Sequence, residues 1–271
     1  MVTAEAVDLR DGDAVARAIG NAKPEWVFHL AAHGAYSWQT DRRRIIETNV
    51  IGTINVVDAA GRAGATAIVN AGSSSEYGDK DHAPSESEIV EPNSDYAVAK
   101  AAATHYVTLA AHRDGLPTCT LRLYSVFGPW EEPGRLIPAL VVHALRGELP
   151  PLVDPAIARD FVYVDDVVDA FISAARDGVS PGEVFNVGSG VETTIGAAVE
   201  LTRQVFALDV EPQWGSMEGR AWDLRTWVSN PARIEAVLGW KPRVSFADGL
   251  ARTAEWLREH EEFWPRYDVR A

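Results

Sequence analysis

The sequence predicts an α/β protein, with a parallel sheet covered by helices on both faces and a smaller lobe toward the C-terminus. Three observations carry that expectation. Short apolar runs alternate with longer stretches of helical periodicity. The runs are apolar at consecutive positions, as strands buried on both faces require. The last third departs from the pattern, with six of the nine tryptophans between Trp214 and Trp264.

Residues 27–32 are a short apolar run, read as a buried strand whose entry Pro24 punctuates. A helix is predicted over 43–62, with Ile45, Ile46, Val50, Ile54, Val57 and Ala60 at its apolar positions and Gly64 closing it. The next strand is 67–71. A second long helix covers 96–113, stopped by Gly115-Leu116-Pro117. Strands follow at 118–124, 162–164 and 184–187, with a helix at 167–175. The aromatic-rich last third suits a core first, and a wall for a flat ligand second.

At 271 residues the chain allows one large domain or two small ones. Acidic residues outnumber basic ones 39 to 25, for a net charge of −14. Such a surface repels nucleic acid and anionic membrane, so neither is expected as a partner. No run reaches the ~20 apolar residues of a membrane span, and the N-terminus lacks the pattern of a signal peptide. A single cysteine, Cys119, forms no internal disulfide and points to the cytoplasm.

A nucleotide-binding parallel sheet opens with strand, glycine-rich turn and helix. That fingerprint is absent near the start; Gly188-Ser-Gly190 comes nearest and lacks the third glycine. The chain reads as beginning at the third strand of such a sheet, one βαβ unit of roughly 30–50 residues short. A start further upstream and a shortened protein both remain open.

The chemistry centres on Tyr96-Ala-Val-Ala-Lys100. Positions i and i+4 share a helix face, so phenol and ammonium point into one space. A nearby cation favours the phenolate and lowers its pKa, making a base for a sugar or alcohol hydroxyl. Ser73-Ser74-Ser75-Glu76-Tyr77-Gly78 follows a buried strand, where parallel sheets place their sites. Those serines can hydrogen-bond a reacting oxygen and Glu76 can act as a base; a polar capping turn is the plainer reading. His29 and His33 have a metal-like spacing, but His29 sits in a strand where that spacing does not converge, and no metal is expected.

These segments resemble the extended short-chain dehydrogenase/reductases, specifically the NAD-dependent epimerase/dehydratase family acting on nucleotide sugars. The resemblance rests on His29-Leu-Ala-Ala32, Asn49-Val-Ile-Gly-Thr53, Ser73 to Gly78, Tyr96 to Lys100, Leu121 to Pro129, Arg159 to Asp166, Phe185-Asn-Val-Gly188 and Leu238-Gly-Trp-Lys-Pro242, in the family's order. It implies a Rossmann-like domain over 1–128 and 159–190, with a substrate-binding lobe over 129–158 and 191–264. It also implies that Tyr96 is the catalytic base and Lys100 its partner on the nicotinamide ribose. Ser74, with Ser75 second, would hold the sugar O4, and Glu76 matches the glutamate of the dehydratases. Asp8, Leu9, Ala31, Ala32, Asn49 and Tyr124, with Tyr96 and Lys100, would line the cofactor. Ser125, Arg159, Arg220 and Asp223 would bind a nucleotide-diphosphate sugar; Ser125 stands where the family usually has asparagine. Arginine suits diphosphate through its bidentate geometry.

The implied reaction removes hydride from sugar C4, giving a 4-keto sugar. Its fate, 4-epimerisation or 4,6-dehydration, stays open, as does NAD against NADP. A nucleotide-sugar 4-ketoreductase is the alternative, and an inactive, truncated family member is another. The resemblance implies a homodimer paired through the two long helices, whose apolar residues around much of their circumference support it, though a covering layer alone would also explain them.

Overall fold

The computed structural model describes residues 3–36, 38–217 and 226–267. In chain order the first elements are α1 (Gly12–Ala22), β1 (Trp26–His29), α2 (Arg42–Ile46), a π turn at Glu47–Ile51, α3 (Gly52–Ala63) and β2 (Ala67–Ser73). A single 3₁₀ turn at Ser74–Tyr77 leads on to α4 (Asp95–Asp114), β3 (Thr118–Leu123), β4 (Ser125–Phe127) and α5 (Leu136–Leu145). Then come β5 (Ala158–Arg159), β6 (Phe161–Tyr163), α6 (Val164–Arg176), β7 (Glu183–Val187) and β8 (Thr193–Thr194). The chain continues with α7 (Ile195–Phe206), α8 (Ala232–Leu238), α9 (Phe246–Glu259) and α10 (Trp264–Tyr267).

Four strands form one parallel sheet in the order β1-β2-β3-β7. Every neighbouring pair is parallel, with Val69 opposite Cys119 and Leu121 opposite Phe185. The central strand β2 is buried at its first six positions, the two-sided burial its unbroken apolar run anticipates. Cys119 lies in β3 at 2% exposure, and burial pushes its thiol up to about 12. The helix expected over 43–62 forms as α2, the π turn and α3 in succession.

Side chains in the first turn set the helix starts. Asp11, Asp41, Ser94, Thr194 and Ser245 each accept a backbone N–H from their own helix. The glycines foreseen as helix stops, Gly64 and Gly115, take left-handed φ of 79° and 68°.

A second core lies beside the sheet. Phe127, Ile137, Leu140, Phe161, Tyr163, Ile195 and Leu250 meet there, drawn from β4, α5, β6, α7 and α9. The division between lobes differs from the sequence expectation at two places. Phe127 and Tyr163, expected in the sheet domain, belong to this second core. Ile234 and Trp240, expected in the lobe, pack into the sheet's own core with Phe171 and Phe185. The reason is α8, which lies against β7; the Trp240 indole also donates to the Asp166 carbonyl at 2.8 Å.

One carboxylate ties the lobes together. Asp160, fully buried between β5 and β6, accepts from the N–H and hydroxyl of Ser189, the N–H of Gly190, and the N–H and hydroxyl of Ser229. Gly188 leaves room for this cluster, since a Cβ there would lie 2.5 Å from the Ser229 hydroxyl. Among the described residues no helix is long and apolar enough to cross a membrane.

Candidate active site

The site is built where α4 crosses the carboxyl end of β2. One helical turn of four residues advances about 6 Å, close to the rise of two strand residues. The Lys100 ammonium therefore reaches the Ala71 carbonyl, while the Tyr96 phenol, one turn earlier, comes under the influence of the Ser73 hydroxyl, which lowers its pKa. One turn later, Thr104 donates to Glu76 Oε1 at 2.9 Å. Tyr96, Lys100 and Thr104 thus share one helix face over the strand and the turn that follows it.

Of the three serines, Ser73 is the one whose hydroxyl acts on the Tyr96 phenol. Ser73 caps the 3₁₀ turn: its hydroxyl accepts the Ser75 N–H (3.2 Å) and lies 2.8 Å from the Ser75 hydroxyl. The Ser73 N–H donates to Glu76 Oε1 at 2.9 Å, which completes a capping box. Ser74 faces a neighbouring cleft. Gly78 ends the turn with φ 69°, where a Cβ would fall 2.0 Å from the Glu91 carbonyl; glycine alone fits.

Glu76 does not present a carboxylate to the site. It is fully buried, and its Oε2 accepts from Arg122 Nε at 2.8 Å. Arg122 also donates to the Tyr77 hydroxyl, which in turn donates to Asn186 Oδ1 (both 2.8 Å). In place of the acid–base position expected of it, Glu76 is a buried support beneath Ser73, its carboxylate taken up by Arg122, Thr104 and the Ser73 N–H. Folding the side chain back satisfies one N–H, one hydroxyl and one guanidinium that would otherwise be buried unpaired.

Electrostatics at Tyr96 also differ from expectation. Burial raises its pKa to about 12, against the Ser73 hydrogen bond and the field of Arg135, which lower it. The Lys100 ammonium is turned to Ala71. Its own pKa is lowered by burial, with the Glu76 charge opposing. Close by, burial and then the Lys100 charge depress His29 to about 4, so its ring is neutral; it lies 2.9 Å from the Thr53 hydroxyl. His29 is thereby spoken for without a metal.

The remaining expected residues fall into two groups. Asn49, in the π turn, clamps the chain after β1: its Oδ1 accepts the His33 N–H (2.8 Å) and its Nδ2 donates to the His33 carbonyl (2.7 Å). Its amide is spent on the His33 backbone, directly after Ala31 and Ala32, which are exposed beyond the end of β1. The Asp8 carboxylate is held by Arg10, which lowers it to about 2, and Leu9 packs beside Val15 and Val56. Both stand on the helical layer over β1. Ser125 donates its N–H to the Asp160 carbonyl at 2.9 Å. The Arg159 guanidinium lies 5.8 Å from the centre of the Trp227 ring. Arg220 and Asp223 lie outside the described residues.

The cleft beside Ser74 is walled by Tyr77, Lys80, His82, Tyr124, Thr226 and Trp227, among others. Lys80 is paired with Glu91, and His82 with Asp81 and Glu88. Sequence reasoning grouped Ser73 with its two neighbours without ranking it, although the Ser-x-x-Glu spacing of a capping box sets it apart; Arg135, whose charge acts on Tyr96, carried no signal.

A bound dinucleotide is compatible with this geometry at its nicotinamide-ribose end. Lys100 is 4% exposed and keeps N–H bonds beyond the one given to Ala71, and the Tyr96 phenol stands a turn away.

Residues 2–188 match the NAD dependent epimerase/dehydratase family. The chain is 32% identical to a UDP-glucose 4-epimerase of Mycolicibacterium smegmatis over 262 residues, 94% of this chain and 82% of the relative. It is also 32% identical to a dTDP-glucose 4,6-dehydratase of Streptomyces griseus over 250 residues, 90% of this chain and 74% of the relative. Its fold superposes on the crystal structure of a Thermotoga maritima UDP-glucose 4-epimerase with UDP-glucose, at TM-score 0.86, 30% identity, and coverage of 94% and 84%. Sheet order, the Tyr96–Lys100 face and these similarities agree: the chain belongs to the NAD-dependent epimerase/dehydratase family.

Proposed function

We propose that this protein is a nucleotide-sugar 4-epimerase working through a 4-keto sugar. The observation that carries the reading is the Tyr96 phenol, set within the influence of the Ser73 hydroxyl on the helix face it shares with Lys100, next to a cleft whose described wall holds no carboxylate. Tyr96 takes the proton from the sugar O4, and Ser73 hydrogen-bonds the same oxygen. Lys100 holds the ribose hydroxyls and supplies positive charge as the phenolate forms. When bound, NAD serves as hydride acceptor and donor at sugar C4. The sheet domain holds the dinucleotide and the second lobe holds the sugar nucleotide, with Arg159 and Ser125 on its diphosphate.

Dehydration would need a further carboxylate facing the sugar to take the C5 proton. Glu76 is committed to Arg122, Thr104 and the Ser73 N–H, which speaks against that outcome. Incubation with NAD and either UDP-glucose or dTDP-glucose, followed by proton NMR, is expected to yield the C4 epimer. Accumulation of a 4-keto-6-deoxy sugar would overturn the reading.

A second reading is favoured by one observation. A phenol at about 12 stays protonated at neutral pH, as a 4-ketoreductase requires of its proton donor. NADPH oxidation driven by a 4-keto-6-deoxy nucleotide sugar would identify it.

We further propose a homodimer paired through α2, the π turn and α4, whose exposed faces carry Ile46, Ile51, Val98 and Leu109. Light scattering checks this, and a monomer would refute it. Buried Cys119 suits a reducing cytoplasm.

A further inference from the structure

The cleft contains one polar atom that the fold leaves unsatisfied. Tyr124 directly follows β3, and the pairing of Ser73 with Leu123 sets it beside Ser74 at the carboxyl edge of the sheet. Its backbone is fixed by N–H donation to the Val187 carbonyl at 3.0 Å. Its side chain is 8% exposed, yet its hydroxyl has no hydrogen-bond partner among the described residues. The neighbouring Tyr77 behaves differently, accepting from Arg122 and donating to Asn186.

An unpaired buried hydroxyl costs stability, so packing alone favours phenylalanine at this position. Burial also raises the pKa of Tyr124, which keeps the hydroxyl a donor. Ser74, Thr226 and Trp227 line the same cleft as Tyr124. A lining that combines hydroxyl residues with an indole suits a sugar ring, polar at its edge and apolar on its face.

We propose that Tyr124 donates a hydrogen bond to a sugar oxygen of the nucleotide sugar, other than the O4 facing Tyr96, and so helps to select the sugar. This rests on the nucleotide-sugar reading above, and it moves Tyr124 from the cofactor to the substrate.

The test is Tyr124→Phe, which deletes only the hydroxyl. Unfolding temperature would be measured without ligand, and calorimetric affinities for UDP-glucose, dTDP-glucose, UDP, dTDP and NAD. The unfolding temperature is expected to stay or rise by about 1–2 °C. Affinity for the sugar nucleotide that the parent binds best is expected to fall roughly three- to tenfold, with the bare nucleotide and NAD unchanged. A purely structural role would instead lower the unfolding temperature and weaken all ligands together, which overturns the proposal. Unchanged sugar affinity in a parent that turns the sugar over overturns the role of Tyr124 alone. A parent that binds neither sugar nucleotide more tightly than its bare nucleotide overturns the functional reading, and this inference with it.

Discussion

The carboxylate of Glu76 and the guanidinium of Arg122 form an ion pair, 2.8 Å apart and all but sealed from solvent, directly beneath the serine whose hydroxyl acts on Tyr96. Breaking such a pair leaves one charge buried alone, which costs ~3–5 kcal/mol. Arg122→Met is therefore expected to lower unfolding free energy by about that amount in urea titrations. The double variant Glu76→Gln/Arg122→Met removes both charges and should recover a good part of the loss. A double variant no more stable than Arg122→Met would show that the pair is not what the site stands on.

Tyr96→Phe should abolish turnover while leaving the fold unchanged, because a single hydroxyl is lost. Loss of a positioned proton-transfer group costs ~10²–10⁴ in rate. The phenol's raised pKa gives the sign of the pH effect. Only the phenolate accepts a proton, so kcat/KM for oxidising the sugar should climb between pH 7 and 9. A circular-dichroism spectrum equal to the parent's, with no turnover, is the expected result; activity near the parent's level would remove Tyr96 from the chemistry.

His29 gives the acid limb of stability. Its ring is depressed to about 4 in the folded protein from an ordinary 6.5. Below 6.5 the unfolded chain takes up the proton first, so stability is complete above that pH and drains away as pH falls toward 4. Between pH 7.5 and 5 the loss attributable to this ring is about 2 kcal/mol. Denaturant titrations at the two pH values should show it, and His29→Gln should flatten the difference.

Asp160 should matter more for the arrangement of the lobes than for either lobe alone. Replacing it by alanine strands the N–H groups of Ser189 and Ser229 and leaves the Gly190 N–H only the Ser229 hydroxyl, for a cost of several kcal/mol. Hydrogen exchange should quicken at 188–190 and 226–230 while β2 stays protected. Equal protection of both segments would contradict the role given to this carboxylate.

Much of this fold was legible in the sequence because burial on both faces leaves unbroken apolar runs. Residues 67–71 and 184–187 lie within β2 and β7 for that reason. The helix α5 was not legible: its sequence is apolar around nearly the whole circumference, and a short apolar run does not declare its period. The π turn depends on the Asn49–His33 clamp across a separation of 16 residues, which no local pattern encodes. At the site, Tyr96 and Lys100 were readable because helical spacing fixes their common face. At Glu76 the plainer reading of the residues, a polar capping turn, is the one the fold forms, because Ser73-x-x-Glu76 specifies a cap; the acid–base role was implied by the resemblance alone. The tryptophans divide between both readings: Trp240 and Trp256 pack in cores, and Trp227 walls the cleft.

The burial of Cys119 in the middle of β3 has a practical corollary. A thiol held near 12 and shut off from solvent stays unreactive toward maleimides while the protein is folded. A cysteine introduced on an exposed loop would then be the sole attachment point for a fluorophore, and late labelling of Cys119 itself would act as a clock for global unfolding.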